Sequence, residues 1–114
     1  KLENPENDFF GDADVAAKHF TEFSAKRGTG EIADAKIIRM ANAMSYLGNA
    51  NAAKFYRIRH GAADSDTALA VPLILALGLQ DAGKTVDFAA PWGQGHGGDY
   101  DLDELFRWID RVVK

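Results

Sequence analysis

The stretch that decides the fold is Tyr56–Thr67, YRIRHGAADSDT, in which a strand-like run ends at His60-Gly61 and two acidic residues follow. Aromatic and aliphatic side chains alternate with arginines just before His60, and the run is too short for a helix, so it favours a β-strand. The acidic residues Asp64 and Asp66 lie in the loop that begins there. The pattern therefore predicts a strand that presents a carboxylate at its end.

A second strand and loop follow further along the chain. KTVDFAAPW, residues 84–92, has alternating apolar residues and stops at Pro91, which cannot donate a ladder hydrogen bond. The loop PWGQGHGGDYDLDE, residues 91–104, then places His96 among glycines that let the backbone turn tightly. Ligands bind beyond the carboxyl ends of the strands in open parallel sheets, so Asp64 and His96 are expected to meet at one edge.

Helical patterns follow both loops. PLILALGLQDAG, residues 72–83, has Pro72 in its first turn and Gly83 as its cap, and its apolar composition predicts a mostly buried helix. The next helix starts near Asp101, and its apolar face consists of Leu102, Leu105, Phe106, Ile109 and Val112 or Val113. The order βαβα predicts an α/β fold with parallel strands and right-handed crossovers. Because two parallel strands are too few for a complete sheet, further strands are expected from a longer chain or from partners.

The first half of the chain predicts helices instead of strands. Asp12–Arg27 has helical spacing and closes before Gly28, and Glu31–Leu47 resumes the helical pattern. The sequence is therefore expected to divide into a helical segment, residues 1–53, and a βαβα segment, residues 54–114.

Composition excludes several classes of protein. With 114 residues, 46% of them hydrophobic, the chain is at most one small folded domain or a large piece of one. The net charge of −4 and the absence of a basic cluster argue against a nucleic-acid partner. No run reaches the roughly 18 apolar residues of a membrane span, so no membrane partner is predicted. The lack of cysteine excludes disulfides and a thiolate nucleophile but leaves the localisation unknown.

Asp64 and His96 together suggest two members of a catalytic triad. A carboxylate that accepts the Nδ1 proton of a histidine fixes its tautomer and stabilises the imidazolium that forms when Nε2 takes a proton from a nucleophile. A single loop histidine is more often a surface residue, which is the expectation for His19, and His60 is expected to bond locally at the strand end. The carboxylate and histidine in this order favour a function.

Residues 57–110, RIRHGAADSDTALAVPLILALGLQDAGKTVDFAAPWGQGHGGDYDLDELFRWID, resemble the C-terminal portion of an α/β-hydrolase, and more closely of the bacterial tannase and feruloyl-esterase-like branch (subtype B tannases). The shared pattern is His-Gly-x-x-Asp, a helix with an early proline, a strand and a loop histidine, and it is carried here by His60, Gly61, Asp64, Pro72 and His96. The resemblance implies that Asp64 is the triad acid and that His96 is the base.

The resemblance also implies substrate-binding residues. In this branch an aspartate two positions beyond the triad acid contacts the phenolic hydroxyls of a galloyl group, and Asp66 stands at that position here. A further acidic residue of the branch contacts the same hydroxyls, and Glu6 is the candidate for it. From the residues alone, Asp66 is equally a turn or capping residue ahead of the Pro72 helix, and Glu6 is a solvated surface acid. By the same resemblance, residues 1–53 correspond to the end of an inserted lid.

The resemblance implies a serine esterase that cleaves phenolic-acid esters of the galloyl or feruloyl type and needs no metal or organic cofactor. The family nucleophile lies in a Gly-x-Ser-x-Gly turn, and none of Ser24, Ser45 and Ser65 stands in such a setting. The chain is therefore expected to be a C-terminal fragment, inactive alone. Its expected partners are the N-terminal part of the hydrolase, which carries the serine, and a small-molecule ester.

Two other classes of protein compete with this interpretation. Asp99, Asp101 and Asp103 alternate like the start of a calcium-binding EF-hand loop, but Glu104 and Asp110 stand where that loop requires glycine and glutamate. These acids are therefore expected to cap the last helix and to favour its dipole. The second alternative is a non-catalytic protein-interaction module, which would require a complete core of its own, whereas a truncated βαβα predicts exposed sheet edges.

Overall fold

The computed structural model describes residues 8–11 and 14–114. The chain forms two compact units, Lys1–Ser45 and Tyr46–Lys114. The elements of the described residues are, in chain order, α1 (Glu22–Arg27), α2 (Ala35–Ala41), a 3-10 helix (Ala43–Tyr46), β1 (Phe55–Arg59), α3 (Ala70–Asp81), β2 (Thr85–Ala89) and α4 (Leu102–Val112). The predicted division into residues 1–53 and 54–114, and the lid origin of the first segment, stay predictions.

The second unit is a small α/β arrangement with the predicted βαβα order. β1 and β2 pair in parallel, in a register that runs from Phe55 opposite Thr85 to Arg59 opposite Ala89. The crossover helix α3 packs against both strands. This register confirms the predicted parallel pairing. Parallel neighbours need a long connection, and here it contains a whole helix.

Helix α3 has the predicted position but not the predicted burial. It starts at Ala70, so Pro72 lies in its first turn, and Gly83 follows its end with φ of 76°, in the left-handed region that favours glycine. Only Ala76 and Leu79 are buried in α3. The prediction of a mostly buried helix is wrong for this chain, because a two-stranded sheet covers only one face of a helix that is apolar all round.

Helix α4 is joined to β1 by charged side chains. Asp101 precedes the helix, but its carboxylate makes no capping hydrogen bond and instead pairs with Arg57 and Arg59, whose side chains are largely buried. The hydrogen bond from Arg57, together with the positive charge of both guanidinium groups, lowers the pKa of Asp101. Asp101 therefore stands at the expected N-cap position, but its side chain makes no capping bond, and Asp103 and Glu104 lie in the first turn as predicted.

The first unit contains less helix than predicted. Residues 14–21 are not helical, because His19 pairs with Ile32 in an isolated parallel bridge in which its N–H donates to Glu31 O at 2.9 Å. Helix α1 begins only at Glu22, where the Thr21 hydroxyl caps it. Residues 12 and 13 lie outside the described residues.

The second predicted helix, Glu31–Leu47, is also shorter. Asp34 caps α2, which ends at Ala41, and the Asn42 side chain then accepts the N–H of Met44 at 3.1 Å. Side-chain bonds of this kind compete with helical hydrogen bonds, so the chain continues as a 3-10 turn instead. No helix of the described residues has the length and apolar character that crossing a bilayer demands.

Leu79 is expected to be a main source of stability in the second unit. Leu79 is 2% exposed, whereas Leu77, on the same helix, is 55% exposed. Leu79→Ala should lower the free energy of unfolding of the 114-residue chain by about 2–4 kcal/mol, because it leaves a cavity against the sheet. The control Leu77→Ala should cost less than about 0.5 kcal/mol in the same urea titration. Equal losses for the two variants would contradict the observed packing of α3.

Candidate active site

The loops that follow β1 and β2 are joined by backbone hydrogen bonds. We call residues 60–69 the acid loop and residues 90–101 the histidine loop. The N–H of His60 donates to Ala89 O at 3.2 Å, that of Ala62 to Pro91 O at 2.9 Å, and that of Ala63 to Gln94 O at 2.9 Å. The parallel pairing of the strands thus extends beyond their ends. Side chains on the two loops are held at one edge of the sheet.

Gly61 is a point of close contact between the two loops. A Cβ atom at this position would lie 2.2 Å from Gln94 O and 2.4 Å from Gly95 O. Both neighbours are backbone atoms, which cannot rotate away as a side chain can. Only glycine therefore permits this approach.

Asp64 uses both carboxylate oxygens. Oδ1 accepts the N–H of Asp66 at 2.8 Å and the N–H of Thr67 at 3.0 Å, while Oδ2 lies 3.1 Å from Nδ1 of His96. Its side chain is only 5% exposed. The backbone of the acid loop therefore anchors Oδ1, and Oδ2 faces the imidazole.

The pKa values of the pair move apart. The N–H of Thr67, with smaller contributions from the N–H of Asp66 and from His96, lowers the pKa of Asp64 from 3.8 to about 2. The hydrogen bond and negative charge of Asp64 raise the pKa of His96 above 6.5. The ionised Asp64 therefore stabilises the fold above pH 3.8, and this contribution is lost as the pH falls towards about 2. The contribution of His96 is complete below pH 6.5 and is lost as the pH rises through its folded pKa.

His96 is the accessible member of the pair. Its side chain is 60% exposed, and with the proton on Nδ1 directed at Asp64 its Nε2 is available to accept a proton. The structure brings together the two residues for which the sequence predicts a contact. Their catalytic roles stay predictions.

Asp66 lies beside this pair with an exposed side chain. One ligand atom from each of Asp64, Asp66 and His96 can be chosen so that all lie within 4.8 Å of one another. Asp66 does not cap α3, whose N-cap position is Leu69, and the turn in the acid loop is closed by the Asp64 side chain instead. The structure therefore leaves Asp66 free of the capping role that the sequence also allows. Glu6, the other predicted substrate-binding residue, lies outside the described residues.

The pair opens onto a cleft of about 380 Å³. This volume falls in the range of small-molecule sites. Its walls combine polar groups of the two loops with apolar residues from the first turns of α3, and the lining residues are Arg59, His60, Gly61, Asp64, Thr67, Val71, Pro72, Leu75, His96, Gly97 and Gly98.

Asp64, Asp66 and His96 are also the one group among the described ranges, 8–11 and 14–114, whose geometry could hold a metal ion. Asp64 Oδ1 is occupied by two N–H groups and Oδ2 by His96, so a cation would compete with hydrogen bonds already made. The donor set suits the acid–base pair better than it suits a metal. Asp99, Asp101 and Asp103 form no such group.

One feature of the site was missed by the sequence analysis. The expected local contact of His60 at the strand end is present, since its Nδ1 lies 3.7 Å from Oδ2 of Asp64, but its burial, at 8% exposed, and its approach to the oxygen that faces His96 were not predicted. The four-residue spacing from His60 to Asp64 was the available signal. It could not be interpreted without knowing that the acid loop turns back on itself.

A parallel strand pair whose adjoining loops hold a buried carboxylate against an exposed imidazole defines an α/β protein with an acid–histidine site. No family model and no curated protein matches the chain. Solved structures do match it, and they confirm the predicted resemblance to the C-terminal part of the bacterial tannases.

Three of these structures illustrate the similarity. The tannin acyl hydrolase from Lactobacillus plantarum is 49% identical over 100% of this chain, with a TM-score of 0.90. A tannin acyl hydrolase in complex with ethyl gallate is 50% identical over the same range, with a TM-score of 0.91. The Fusobacterium nucleatum tannase is 55% identical over 96% of the chain, with a TM-score of 0.87. This chain covers 26%, 26% and 25% of those chains, so it spans about a quarter of the tannases it matches.

Gly61→Ala is expected to separate the acid and histidine loops. The added methyl group would overlap Gln94 O and Gly95 O, so the loops must move apart and the Asp64–His96 hydrogen bond should weaken. The pKa of His96 should then fall towards 6.5 when it is measured by NMR titration of the 114-residue chain. Gly95→Ala is the matched control, because a Cβ there meets no atom within 4 Å. The same fall in both variants, or in neither, would contradict the contact.

Asp64→Asn is expected to lower the pKa of His96 directly. Asparagine removes the negative charge and the acceptor that stabilise the imidazolium, so the NMR titration midpoint should move down from its raised value. Asp110→Asn, on α4, removes one negative charge outside the site and should leave the midpoint unchanged. A midpoint that is the same in Asp64→Asn and the unmodified chain would show that the hydrogen bond does not form in solution.

Proposed function

We propose that this chain is the C-terminal part of a tannase-like carboxylic ester hydrolase and supplies the acid and the base of its Ser-His-Asp triad. The observation that carries the proposal is the hydrogen bond between His96 Nδ1 and Asp64 Oδ2, at 3.1 Å, in a segment about half identical to tannases. The proposed substrates are galloyl esters, and the feruloyl type is the second candidate.

In the proposed mechanism His96 moves the proton and Asp64 does not. Nε2 of His96 takes the proton of a serine hydroxyl as the serine oxygen forms a bond to the ester carbonyl carbon. The imidazolium then returns that proton to the leaving alcohol as the C–O bond breaks. A water molecule repeats both steps on the acyl-enzyme and releases the acid. Asp64 stays ionised throughout, which its pKa of about 2 favours.

The serine itself is proposed to come from the remaining part of the enzyme. Among the three serines of the chain, only Ser65 lies in the acid loop, and its hydroxyl is 3.5 Å from the Asp66 carboxylate. Two adjacent carboxylates oppose the formation of an alkoxide there. The 114-residue chain is therefore expected to be inactive by itself, and no step requires a metal or an organic cofactor.

Asp66 is proposed to bind the phenolic hydroxyls of the acyl group. Phenolic O–H groups donate strong, charge-assisted hydrogen bonds to carboxylates, and the exposed Asp66 side chain lies beside the pair. The apolar side chains of Val71 and Leu75 line the same cleft and offer a surface for an aromatic ring. A feruloyl group has one phenolic hydroxyl beside a methoxy group, whereas a galloyl group has three hydroxyls, so a feruloyl group would gain less from Asp66. The same role for Glu6 stays a prediction.

The alternative, a non-catalytic interaction module, is less well supported. Such a module needs a core of its own, and the buried apolar residues of the described chain are only Ala33, Ala76 and Leu79. Both outer edges of the two-stranded sheet lack a strand partner among the described residues. These features suit a segment that is completed by further strands of one enzyme.

Substitutions in the complete enzyme test the proposal. His96→Ala and Asp64→Asn should each lower kcat for methyl gallate by about 10⁴-fold, because the triad acts as a unit. Asp66→Asn should lower kcat/KM for methyl gallate by about tenfold, the loss of one charged hydrogen bond, and should leave p-nitrophenyl acetate unaffected. Methyl ferulate is expected to respond less than methyl gallate.

Asp99→Asn, an acidic residue of the histidine loop outside the cleft lining, is the matched control and should keep its activity on all three esters. If His96→Ala retains turnover, the proposed triad fails. If Asp66→Asn weakens hydrolysis of all three esters equally, the proposed triad is unaffected, but Asp66 does not bind the phenolic hydroxyls.

A further inference from the structure

His60 is a buried histidine in the cleft to which the proposed mechanism gives no task. It follows β1 directly, and its N–H extends the parallel ladder by donating to Ala89 O at 3.2 Å. The residue is 8% exposed, and its ring therefore occupies a fixed place between the strand end and the acid loop. A polar side chain this buried normally has a polar partner.

The His60 ring faces the oxygen that Asp64 offers to His96. Nδ1 of His60 lies 3.7 Å from Asp64 Oδ2, and both side chains are nearly buried, at 8% and 5% exposed. Oδ1 of Asp64 is already occupied by two backbone N–H groups. Within the described part of the chain, the side-chain nitrogens that approach Oδ2 are those of His60 and His96. One carboxylate oxygen has two lone pairs, so it can face both rings.

The two histidines differ in what else they can do. His96 is largely exposed and turns its second nitrogen towards the cleft, whereas the His60 ring is enclosed. At 3.7 Å the His60 contact is longer than a hydrogen bond, so it does not compete with the 3.1 Å bond to His96. It does place a largely buried ring beside Oδ2, where an electrostatic interaction is stronger than in water.

We propose that His60 is a positioning residue, whose buried Nδ1–H faces Asp64 Oδ2 and holds this oxygen in the direction of His96. The proposal rests on the proposed function, since it concerns the same acid–base pair. The ring does not touch the reacting atoms. Its effect on turnover passes through Asp64, and the other charged group beside the pair is Asp66.

Two substitutions distinguish the effect of the His60 Nδ1 atom from the effect of the volume of the ring. His60→Phe keeps a ring of similar size but removes Nδ1, whereas His60→Asn removes the ring and keeps an N–H donor near the Nδ1 position. His19→Phe is the matched control, because His19 is equally buried at 8% exposed and its ring nitrogen contacts Thr29 O instead.

The first readout is the NMR titration of His96 in the 114-residue chain, which does not depend on any activity. His60→Phe should lower the titration midpoint of His96, and His60→Asn should restore it. The second readout is hydrolysis of methyl gallate by the complete enzyme. There His60→Phe should lower kcat about tenfold with KM unchanged, the usual order for losing a group that orients a functional histidine, and His60→Asn should recover most of it.

A midpoint and a kcat that are unchanged in His60→Phe would overturn the proposal. Equal losses in His60→Phe and His60→Asn would also overturn it, because they would show a packing role without a role for Nδ1. If the unmodified enzyme cleaves no gallate ester, the proposed function fails, and the NMR titration still decides whether His60 positions Asp64.

Discussion

The close contact of Gly61 with the carbonyl groups of Gln94 and Gly95 is the constraint on which the site depends. It lets the parallel ladder of β1 and β2 continue as hydrogen bonds between the acid loop and the histidine loop. Loops beyond a sheet are ordinarily its most variable parts. Here the hydrogen bonds between the loops keep them as close together as the two strands. This spacing sets the distance between the Asp64 carboxylate and the His96 imidazole.

The two residues of the site differ in exposure, since Asp64 is buried and His96 is accessible. Asp64 is enclosed, and the N–H groups of Asp66 and Thr67 hold its Oδ1 whether or not His96 is present. His96 is exposed and can meet groups supplied from elsewhere. A fixed carboxylate and an accessible imidazole suit the proposed roles, because charge that develops on the imidazole would not require the protein to reorganise.

The sequence predicted the second half of the chain better than the first. The strands and helices after residue 53 carry local signals, such as Pro72 in a first turn and Gly83 after a helix end, and the topology alone placed Asp64 near His96. In the first half, helical spacing was misleading, because His19 pairs with a distant residue and Thr21 caps a later helix. The burial of α3 could not be predicted either, since burial depends on what covers a helix. The sequence pattern includes Gly61, but it does not show that Gly61 lies against the carbonyl groups of Gln94 and Gly95, because this is a tertiary contact.

The position of the pair along the chain has a consequence for folding. Asp64 and His96 are 32 residues apart, and each follows one of the two strands of a single strand–helix–strand unit. Contacts of short sequence separation cost less loop-closure entropy and form sooner than contacts between remote segments. Closing the loop between this carboxylate and this imidazole therefore costs less entropy than closing a loop to a more distant segment. In the proposed enzyme, the larger loop-closure cost would fall on the contact between this pair and the nucleophile.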